Sequence, residues 1–313
     1  MKVYYCDRFS IPLSETHRFP LAKYRLIRER IQADGLIAHE DLIESASATD
    51  TQILRIHSTD YFDRLTTGRL TEAEVREIGF PWSLDLVERS RRSCGGTISA
   101  AKWALADGVA MNLAGGTHHA QRDRGAGYCV LNDVAIASRE LQACGLANQI
   151  VVIDLDVHQG DGTAAIFADD PSVFTFSVHG SKNYPMRKPP SDLDIGLDDG
   201  VSDEVYLDAV EQGVSEAIER SLADFAFYIA GSDPYEGDKL GRLKVTKHGL
   251  MLRDRFVLES CRTAGLPVAI VMGGGYAADI EDTVAIYRQT IVTALGIDSG
   301  RDLADGRPSD QPE

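Results

Sequence analysis

Two carboxylates and an imidazole alternate along one short segment of this 313-residue sequence, at Asp154, Asp156 and His158. Residues 150–155 form an apolar run typical of a β-strand, and alternate residues of a strand share a face. These groups are costly to bury without compensation, and a divalent cation is the natural partner. Asp and His together favour zinc, with cobalt, iron or manganese also compatible. Asp233, which ends another apolar run, can supply a third protein ligand.

A second cluster strengthens this interpretation, because each acidic segment alone is more typical of a salt-bridged or helix-capping loop. His118 and His119 are adjacent and follow two glycines. Neighbouring histidines at a strand end can accept and donate protons. Each needs a carboxylate on its other ring nitrogen, and Asp154 and Asp161 are available for this. The two histidines are therefore candidate acid–base residues.

Two glycine-rich segments end in a tyrosine. Tyr276 follows three consecutive glycines, and Tyr128 follows Gly127. Each segment alone is more typical of a turn with a packed aromatic ring. Beside a metal site, however, glycine permits close approach to a ligand, and Tyr276 can donate a hydrogen bond to a developing oxyanion. A metal-activated water, two histidines and a phenol are together the groups needed to hydrolyse an amide.

The elements that must position these groups alternate between short apolar runs and longer amphipathic stretches. This alternation predicts an α/β fold with one mainly parallel sheet and helices on both faces. In such sheets, sites form beyond the carboxyl ends of the strands, where the residues above lie. Residues 181–204, rich in Pro and Asp, are predicted to form a long loop. The predicted strands are residues 3–6, 109–113, 150–155, 173–178, 225–230 and 268–272, and the predicted helices are residues 86–106, 133–143, 203–221, 246–263 and 279–295.

Composition is that of a soluble globular protein, with 43% hydrophobic and 26% charged residues. The net charge of −16 argues against direct nucleic-acid binding and suits either solubility alone or a cationic substrate. No apolar run is long enough for a membrane span. Five scattered cysteines and no apolar signal peptide predict buried, reduced thiols in a cytoplasmic protein. We expect one domain at residues 1–298 and a flexible tail at 299–313.

In order and spacing, these motifs resemble those of the histone deacetylase family, within the arginase/deacetylase fold. The resemblance extends from about Tyr5 to about Leu295. The Asp-x-Asp-x-His order differs from the Asp-x-His-x-Asp of arginase, which implies one zinc ion rather than two manganese ions. The motifs that carry the resemblance are His118-His119 with Gly127, residues 154–162, Gly231-Ser232-Asp233, Glu236-Gly237-Asp238 and Gly-Gly-Gly-Tyr276.

The resemblance implies a role for each matching residue. His118 would be oriented by Asp154, and His119 by Asp161. His119 would be the principal general base and acid, and Tyr276 the oxyanion donor. The implied zinc ligands are Asp156, His158 and Asp233.

Substrate and structural cations are implied in the same way. Gly127 would contact the stem of the substrate lysine through its backbone, and Tyr128 would form a channel wall. Arg25 matches an arginine deep below the site, near an acetate-release cavity. The other implied substrate-binding positions are Gly274 and Gly275. Structural potassium is implied at two sites, one at Asp154, Asp156, His158, Ser177 and Val178, and one at Phe167, Asp170 and Val173.

Within the family, four segments look most like class IV deacetylases, some of which prefer long fatty-acyl lysine. The resulting hypothesis is a zinc-dependent hydrolase that removes acetyl or longer acyl groups from the ε-amine of lysine in a protein or peptide. A deacetylase of a small amine, such as an acetylpolyamine, is the alternative. A non-catalytic binding module is the third. The four segments are residues 156–160, 123–127, 236–241 and 183–185.

Overall fold

Eight strands form one sheet in the computed structural model, which describes residues 1–9, 11–14 and 17–299. The strand order is β2-β1-β3-β8-β7-β4-β5-β6, and every neighbouring pair is parallel. The predicted α/β class is therefore confirmed. The bounds are β1 Val3–Tyr5, β2 Leu42–Glu44, β3 Val109–Asn112, β4 Ile150–Asp154, β5 Val173–Gly180, β6 Leu193–Leu197, β7 Phe225–Ile229 and β8 Val268–Val271.

Helices cover both faces of the sheet. The central strands are nearly continuously apolar because both of their faces are buried. Val151 and Ile153 of β4 belong to the core under α1, α8, α9 and α10, whereas Ile150 and Val152 belong to the core under α2–α6. The bounds are α1 Ala22–Ala33, α2 Asp50–Ile53, α3 Thr59–Thr66, α4 Glu72–Ile78, α5 Leu84–Asp107, α6 Asp133–Ala143, α7 Asp161–Phe167, α8 Asp203–Ser221, α9 Lys247–Thr263 and α10 Ile280–Ser299.

One predicted loop contains a strand. Residues 181–204 were expected to lack regular structure, but β6 lies within them and pairs with β5 at the edge of the sheet. Asp194 and Gly196 are exposed in β6, whereas Leu197 is buried. An edge strand needs only one buried face, so its apolar pattern is too short and too interrupted to be recognised in the sequence.

Three further expectations have different outcomes. Cys144 is exposed, which corrects the prediction that all five cysteines are buried; the other four are buried. No helix among the described residues is long and apolar enough to cross a membrane. The predicted tail at 299–313 lies outside the described residues apart from Ser299.

Candidate active site

Three side chains that follow strand ends converge at the carboxyl edge of the sheet. Asp156 and His158 follow β4, and Asp233 follows β7, the neighbour of β4. One ligand atom from each lies within 4.8 Å of the others, and all three residues are buried. His158 Nδ1 lies 2.9 Å from Asp156 Oδ1 and 3.2 Å from Asp233 Oδ2. We call these three residues, with His118 and His119, the floor of the site.

The donor set of the floor fits a divalent cation. Asp233 Oδ1 accepts a 2.9 Å hydrogen bond from the amide of Val157, but Oδ2 is buried with no hydrogen bond in the described part of the chain. Burial and the negative charge of Asp156 raise the pKa of Asp233 to about 7. The negative charge of this buried carboxylate is incompletely compensated at Oδ2, and a bound cation would compensate it. Two carboxylates and one imidazole are ligand types found in catalytic zinc sites, which use three protein ligands.

The glycine segment after β8 lies directly against the two carboxylates. The amide of Gly274 donates a 2.6 Å hydrogen bond to Asp156 Oδ2. A Cβ atom at Gly274 would lie 2.0 Å from Asp233 Oδ2, and one at Gly275 would lie 2.2 Å from Ser232 Oγ. No side chain fits at these positions unless a ligand-bearing loop moves. These two glycines, predicted to bind substrate, therefore adjoin the metal ligands themselves.

Each histidine of the adjacent pair has its own carboxylate. His118 Nδ1 lies 2.7 Å from Asp154 Oδ2, and His119 Nδ1 lies 2.6 Å from Asp161 Oδ1. Burial disfavours the imidazolium, but the charges of Asp154 and Asp156 outweigh it and raise the pKa of His118 to about 9. Burial and the charge of His118 lower the pKa of His119 to about 4. At neutral pH, His118 is therefore protonated and His119 is neutral.

The first residue of α6 holds the turn that precedes the histidine pair. Asp133 is buried, and its carboxylate accepts hydrogen bonds from the amides of Gly116 and Thr117, at 3.2 and 2.8 Å. The hydroxyl groups of Thr97 and Thr117 donate to the same carboxylate, each at 2.5 Å. Asp133 was not identified from the sequence, although an acidic residue in the first turn of a helix is a common anion–dipole arrangement.

The segment that carries Tyr276 is fixed through its backbone. Asp238 accepts a 2.6 Å hydrogen bond from the amide of Tyr276, and the carbonyl of Tyr276 accepts one from the amide of Lys239 at 3.2 Å. The Tyr276 ring centroid lies 6.4 Å from that of His158. Burial raises the pKa of Tyr276 well above 10, which keeps its hydroxyl protonated at neutral pH. Tyr276 thus places a phenol beside the floor. Asp238 positions the backbone of Tyr276, a role that was not evident from the Glu-Gly-Asp motif in the sequence.

Two segments form the mouth of the site around His119. Gly127 and Tyr128 both have positive φ, at 54° and 67°, in a turn held by the carbonyls of α4 residues Glu77 and Ile78. A Cβ atom at Gly127 would lie 2.7 Å from His119 Cδ2, so the backbone approaches the floor closely here. Tyr128 keeps a backbone conformation that is costly for a non-glycine residue, which is common at functional sites.

The second segment is residues 181–190, which we call the rim loop. The ring of Tyr184 packs edge-on against His119, with centroids 4.8 Å apart. Tyr184 is 42% exposed, so its ring faces both the floor and solvent. The sequence marked residues 183–185 only for their likeness to one class, not as part of the channel. A tyrosine beside a proline does not by itself indicate a channel wall in the sequence. Its role becomes visible only when the position of the loop next to His119 is known.

Arg25, expected deep below the site, lies on the surface instead. Its side chain is 53% exposed and pairs with Glu29 at 2.7 Å. The buried cation on α1 is Lys23, whose Nζ donates to the carbonyls of Gly273 and Gly275 at 3.3 and 3.4 Å. Burial lowers the pKa of Lys23 to about 8, although Asp233 and Asp156 attract its charge.

A buried arginine connects the two strand ends that carry the metal ligands. Arg253 Nη1 donates to the carbonyl of Gly231 at 2.6 Å and to that of Leu155 at 3.4 Å. Its Nε donates to Asp254 Oδ1 at 2.9 Å, and Thr290 of α10 donates to Asp254 Oδ2 at 2.5 Å. Helices α9 and α10 therefore fasten the ends of β4 and β7 together beneath the floor.

The residues of the implied potassium sites fall into two groups. Asp154 pairs in register with Ser177, and Ser177 Oγ lies 3.0 Å from His179 Nδ1. In the second group, the amide of Asp170 donates to the carbonyl of Phe167 at 2.9 Å, and the amide of Val173 donates to that of Asp170 at 3.3 Å. Each group is thus spatially compact, and potassium binding stays a prediction.

A small cavity with a volume of about 50 Å³ lies near the segment that carries Tyr276. Phe19 and Tyr128 line it, and their ring centroids lie 6.2 and 6.1 Å from that of Tyr276. The guanidinium of Arg89, also in the lining, stacks 4.5 Å from the ring of Tyr24.

Comparisons with known proteins agree with this architecture. The family model described as histone deacetylase domain matches residues 17–291. An HDAC homologue from Aquifex aeolicus has a TM-score of 0.81 at 24% identity, covering 96% of this chain and 84% of that one, and a structure of an HDAC homologue with SAHA matches equally well. The protein therefore has the arginase/deacetylase fold. The chain belongs to the histone deacetylase family of hydrolases.

Curated relatives extend the comparison to sequence. An uncharacterised protein from Picosynechococcus sp. is 46% identical over 93% of this chain and 96% of its own length. Histone deacetylase 2 from Arabidopsis thaliana is 28% identical, covering 87% of this chain and 73% of that protein. The acetoin utilization protein AcuC from Staphylococcus aureus is also 28% identical, covering 84% and 73%.

Proposed function

We propose that this protein is a zinc-dependent hydrolase that removes acyl groups from the ε-amine of lysine. The observation that carries the proposal is the buried set Asp156, His158 and Asp233, in which Asp233 Oδ2 has no hydrogen bond among the described residues. This set adjoins two His–carboxylate pairs and a phenol. Iron or cobalt would also suit the ligands. When bound there, the metal would act as a Lewis acid toward the acyl carbonyl and the attacking water.

The chain's own residues divide the proton transfers between them. His119 is neutral, and its Nδ1 faces Asp161, so Nε2 is free to accept the proton of the attacking water. His118 is protonated beside Asp154 and stabilises the negative charge that develops in the transition state. His119, once protonated, donates its proton to the leaving amine. The Tyr276 hydroxyl donates a hydrogen bond to the developing oxyanion.

Substrate enters between the two segments at the mouth. Gly127 and Tyr128 on one side and Tyr184 on the other would form the walls around the alkyl stem of the substrate, with Tyr184 packed against His119. The cavity of about 50 Å³ shares Tyr128 with the mouth, but none of the floor residues lines it, so the turnover of matched substrates decides the length of the acyl group. The likeness to class IV deacetylases, the potassium sites and a cytoplasmic location remain predictions.

The basic residues of the mouth are partly neutralised by neighbouring carboxylates. Residues 121–128 and 181–190 together carry five basic residues and one acidic residue, but Arg124 lies 3.6 Å from Glu77 and Lys182 lies 3.9 Å from Asp199. The charge of these segments therefore does not separate an acylated lysine from an acetylpolyamine, which stays the alternative. A non-catalytic binding module is disfavoured by the full set of ligands, both histidines and Tyr276.

Turnover of matched substrates tests the proposal. One lysine peptide carrying an acetyl, octanoyl or myristoyl group, with N-acetylputrescine alongside, is assayed on protein reconstituted with zinc. We expect hydrolysis of the acyl-lysine peptides and loss of activity on chelation. Faster release of the long chains would identify a fatty-acyl deacylase, and faster release of acetyl a deacetylase. Preference for N-acetylputrescine, or no hydrolysis of any substrate, would contradict lysine deacylation.

A further inference from the structure

The rim loop is fastened by a lysine from its own sequence. Lys188 Nζ donates to the carbonyls of Ser181, Asn183 and Pro185, at 3.2, 2.8 and 2.7 Å. An ammonium group has three N–H donors, and these three carbonyls satisfy all of them. Lys188 forms no ion pair with any residue that the structure describes. Its hydrogen bonds go to backbone carbonyls, and the nearby carboxylates of Asp161 and Asp194 attract its charge.

The rim loop is attached to the rest of the chain at its base and on either side of its tip: the amide of Ser181 donates to the carbonyl of Leu197 at 2.8 Å, and Lys182 Nζ lies 3.9 Å from Asp199 Oδ2. Asn183 Nδ2 donates to the carbonyl of Leu240 at 2.8 Å, and Gln159 Nε2 donates to the carbonyl of Pro189 at 2.7 Å. Between these points, residues 184–187 make no hydrogen bond in the described chain other than the one from Lys188. Met186, at the tip, is 84% exposed. The conformation of the tip thus depends on the ammonium group at its centre.

We propose that Lys188 is a positioning residue that sets the width of the mouth by holding Tyr184 against His119. The three carbonyls bracket Tyr184 on both sides, so releasing them frees the backbone that carries its ring. Because the Tyr184 ring touches the floor histidine and stands opposite Gly127, its displacement would widen the entrance. The effect would fall on substrate binding rather than on the chemical step. This role rests on the proposed lysine deacylase function.

Steady-state kinetics of Lys188→Met and Lys188→Ala test this role. Both remove the ammonium, and Met keeps the length of the side chain. For an acyl-lysine peptide we expect KM to rise about tenfold, as for lost hydrogen bonds to a charged group, with kcat within about twofold. Lys182→Ala is the matched control, since Lys182 lies in the same loop and is 64% exposed, and its kinetics should not change. An unchanged KM in Lys188→Met would overturn the proposal.

Two further measurements separate positioning from a general loss of structure. Propylammonium added to Lys188→Ala should restore KM, whereas tetramethylammonium, which has no N–H donor, should not. If Lys188 acts through Tyr184, Lys188→Met should raise KM no further in a Tyr184→Ala background. Fully additive effects, or equal rescue by both cations, would contradict the role assigned to Lys188.

A third measurement does not depend on catalysis. Arg187 is exposed beside the clamp, so trypsin should cleave after Arg187 about tenfold faster in Lys188→Met than in the parent protein. If the parent protein hydrolyses no acyl-lysine peptide, the proposed function fails. The cleavage rates would still decide whether Lys188 orders the loop, and equal rates in the two proteins would overturn that ordering.

Discussion

The floor and the rim loop are built in opposite ways. The proposed metal ligands of the floor follow β4 and β7 and are held by the backbone amides of Val157 and Gly274 and, through the strand ends, by Arg253. Every floor residue is buried. The rim loop extends from the edge of the sheet, is largely exposed, and depends on one ammonium group for its tip. The floor is fixed by many elements at once, and the rim loop by few.

This contrast separates two kinds of function. Groups that stabilise a transition state must be held in place before substrate arrives, which requires many rigid contacts. Groups that admit different substrates need only a local scaffold, as loops commonly provide. We therefore expect changes in the floor to act on metal binding and kcat, and changes in the rim loop to act on KM.

Removing a metal ligand should have the largest effect. Asp156→Ala or Asp233→Ala leaves two protein ligands, so the protein should lose zinc and all measurable deacylation. Elemental analysis after purification checks the metal content. Asp208→Ala, on an exposed position of α8, is the control and should keep full occupancy. Stoichiometric zinc in either ligand variant would refute the assignment of that ligand.

Tyr276→Phe should keep the metal and lose most of the rate. Removing one oxyanion donor lowers kcat by about 100- to 1,000-fold. The Tyr276 hydroxyl makes no hydrogen bond within residues 17–299, so thermal stability should not change. Measurements of kcat, zinc content and melting temperature on one preparation test all three statements. A kcat close to that of the parent protein would remove Tyr276 from the mechanism.

Arg253→Lys tests whether metal binding at the floor depends on the hydrogen bonds from Arg253 to the ends of β4 and β7. Lysine keeps the charge but cannot reach Gly231, Leu155 and Asp254 together, so the two ligand-bearing strand ends are less well held. We expect zinc affinity to fall about 10- to 100-fold, as for other groups that orient metal ligands. Competition with a chelator measures this on the folded protein. Arg255→Lys, exposed on the same helix, should not change the affinity; equal affinities in both variants would mean that Arg253 only stabilises the fold.

The smallest effect on activity, and a distinct effect on stability, is expected at His57. It is buried, and its Nε2 accepts a 3.0 Å hydrogen bond from the amide of Asn132. Burial lowers the pKa of His57 to about 4, from 6.5. Between these values the unfolded chain binds more protons, so the free energy of unfolding falls as the pH drops, by about 3 kcal/mol at most.

Urea unfolding at about pH 7 and about pH 4.5 measures this contribution. His57→Gln keeps an acceptor but does not titrate, so it should lose less stability on acidification than the parent protein. His39→Gln, at an exposed position, should behave like the parent. Among the described residues, His57 has no carboxylate partner, unlike His118. An equal acid loss in His57→Gln and the parent protein would show that His57 does not contribute to the acid sensitivity.

The convergence of the floor residues at one edge of the sheet was predictable from the sequence because they share one topological cause, and their roles stay predictions. Each follows an apolar run, and parallel strands bring such positions to one edge. Lys23 could also have been found, since Tyr24, Ile27 and Ile31 mark the apolar face of α1. Lys23 is four residues before Ile27 and shares that face, whereas Arg25 points away. The prediction relied on the spacing of Arg25 from Pro20 and ignored the helical periodicity, and it therefore chose an exposed residue instead of the buried Lys23.

Other features had no comparable signal. Asp133 and Arg253 act through backbone atoms of segments far away in sequence, and a single sequence does not show which carbonyls a buried side chain will meet. The rim loop is the extreme case, because its order depends on the placement of one ammonium group. Local sequence propensity predicts a proline-rich loop there, but it does not predict which carbonyl groups Lys188 will contact.

The lysine clamp has a consequence for how such a site diversifies. All three carbonyls that hold Lys188 belong to residues 181–185, so the clamp is encoded within the segment that it shapes. Few contacts join it to the remainder of the described chain: hydrogen bonds to Leu197 and Leu240 and from Gln159, an ion pair with Asp199, and the packing of Tyr184 on His119. Exchange of this short stretch between relatives would transfer its shape as a unit. Chimaeras made at residues 181–190 could therefore acquire new selectivity while inheriting an intact catalytic centre.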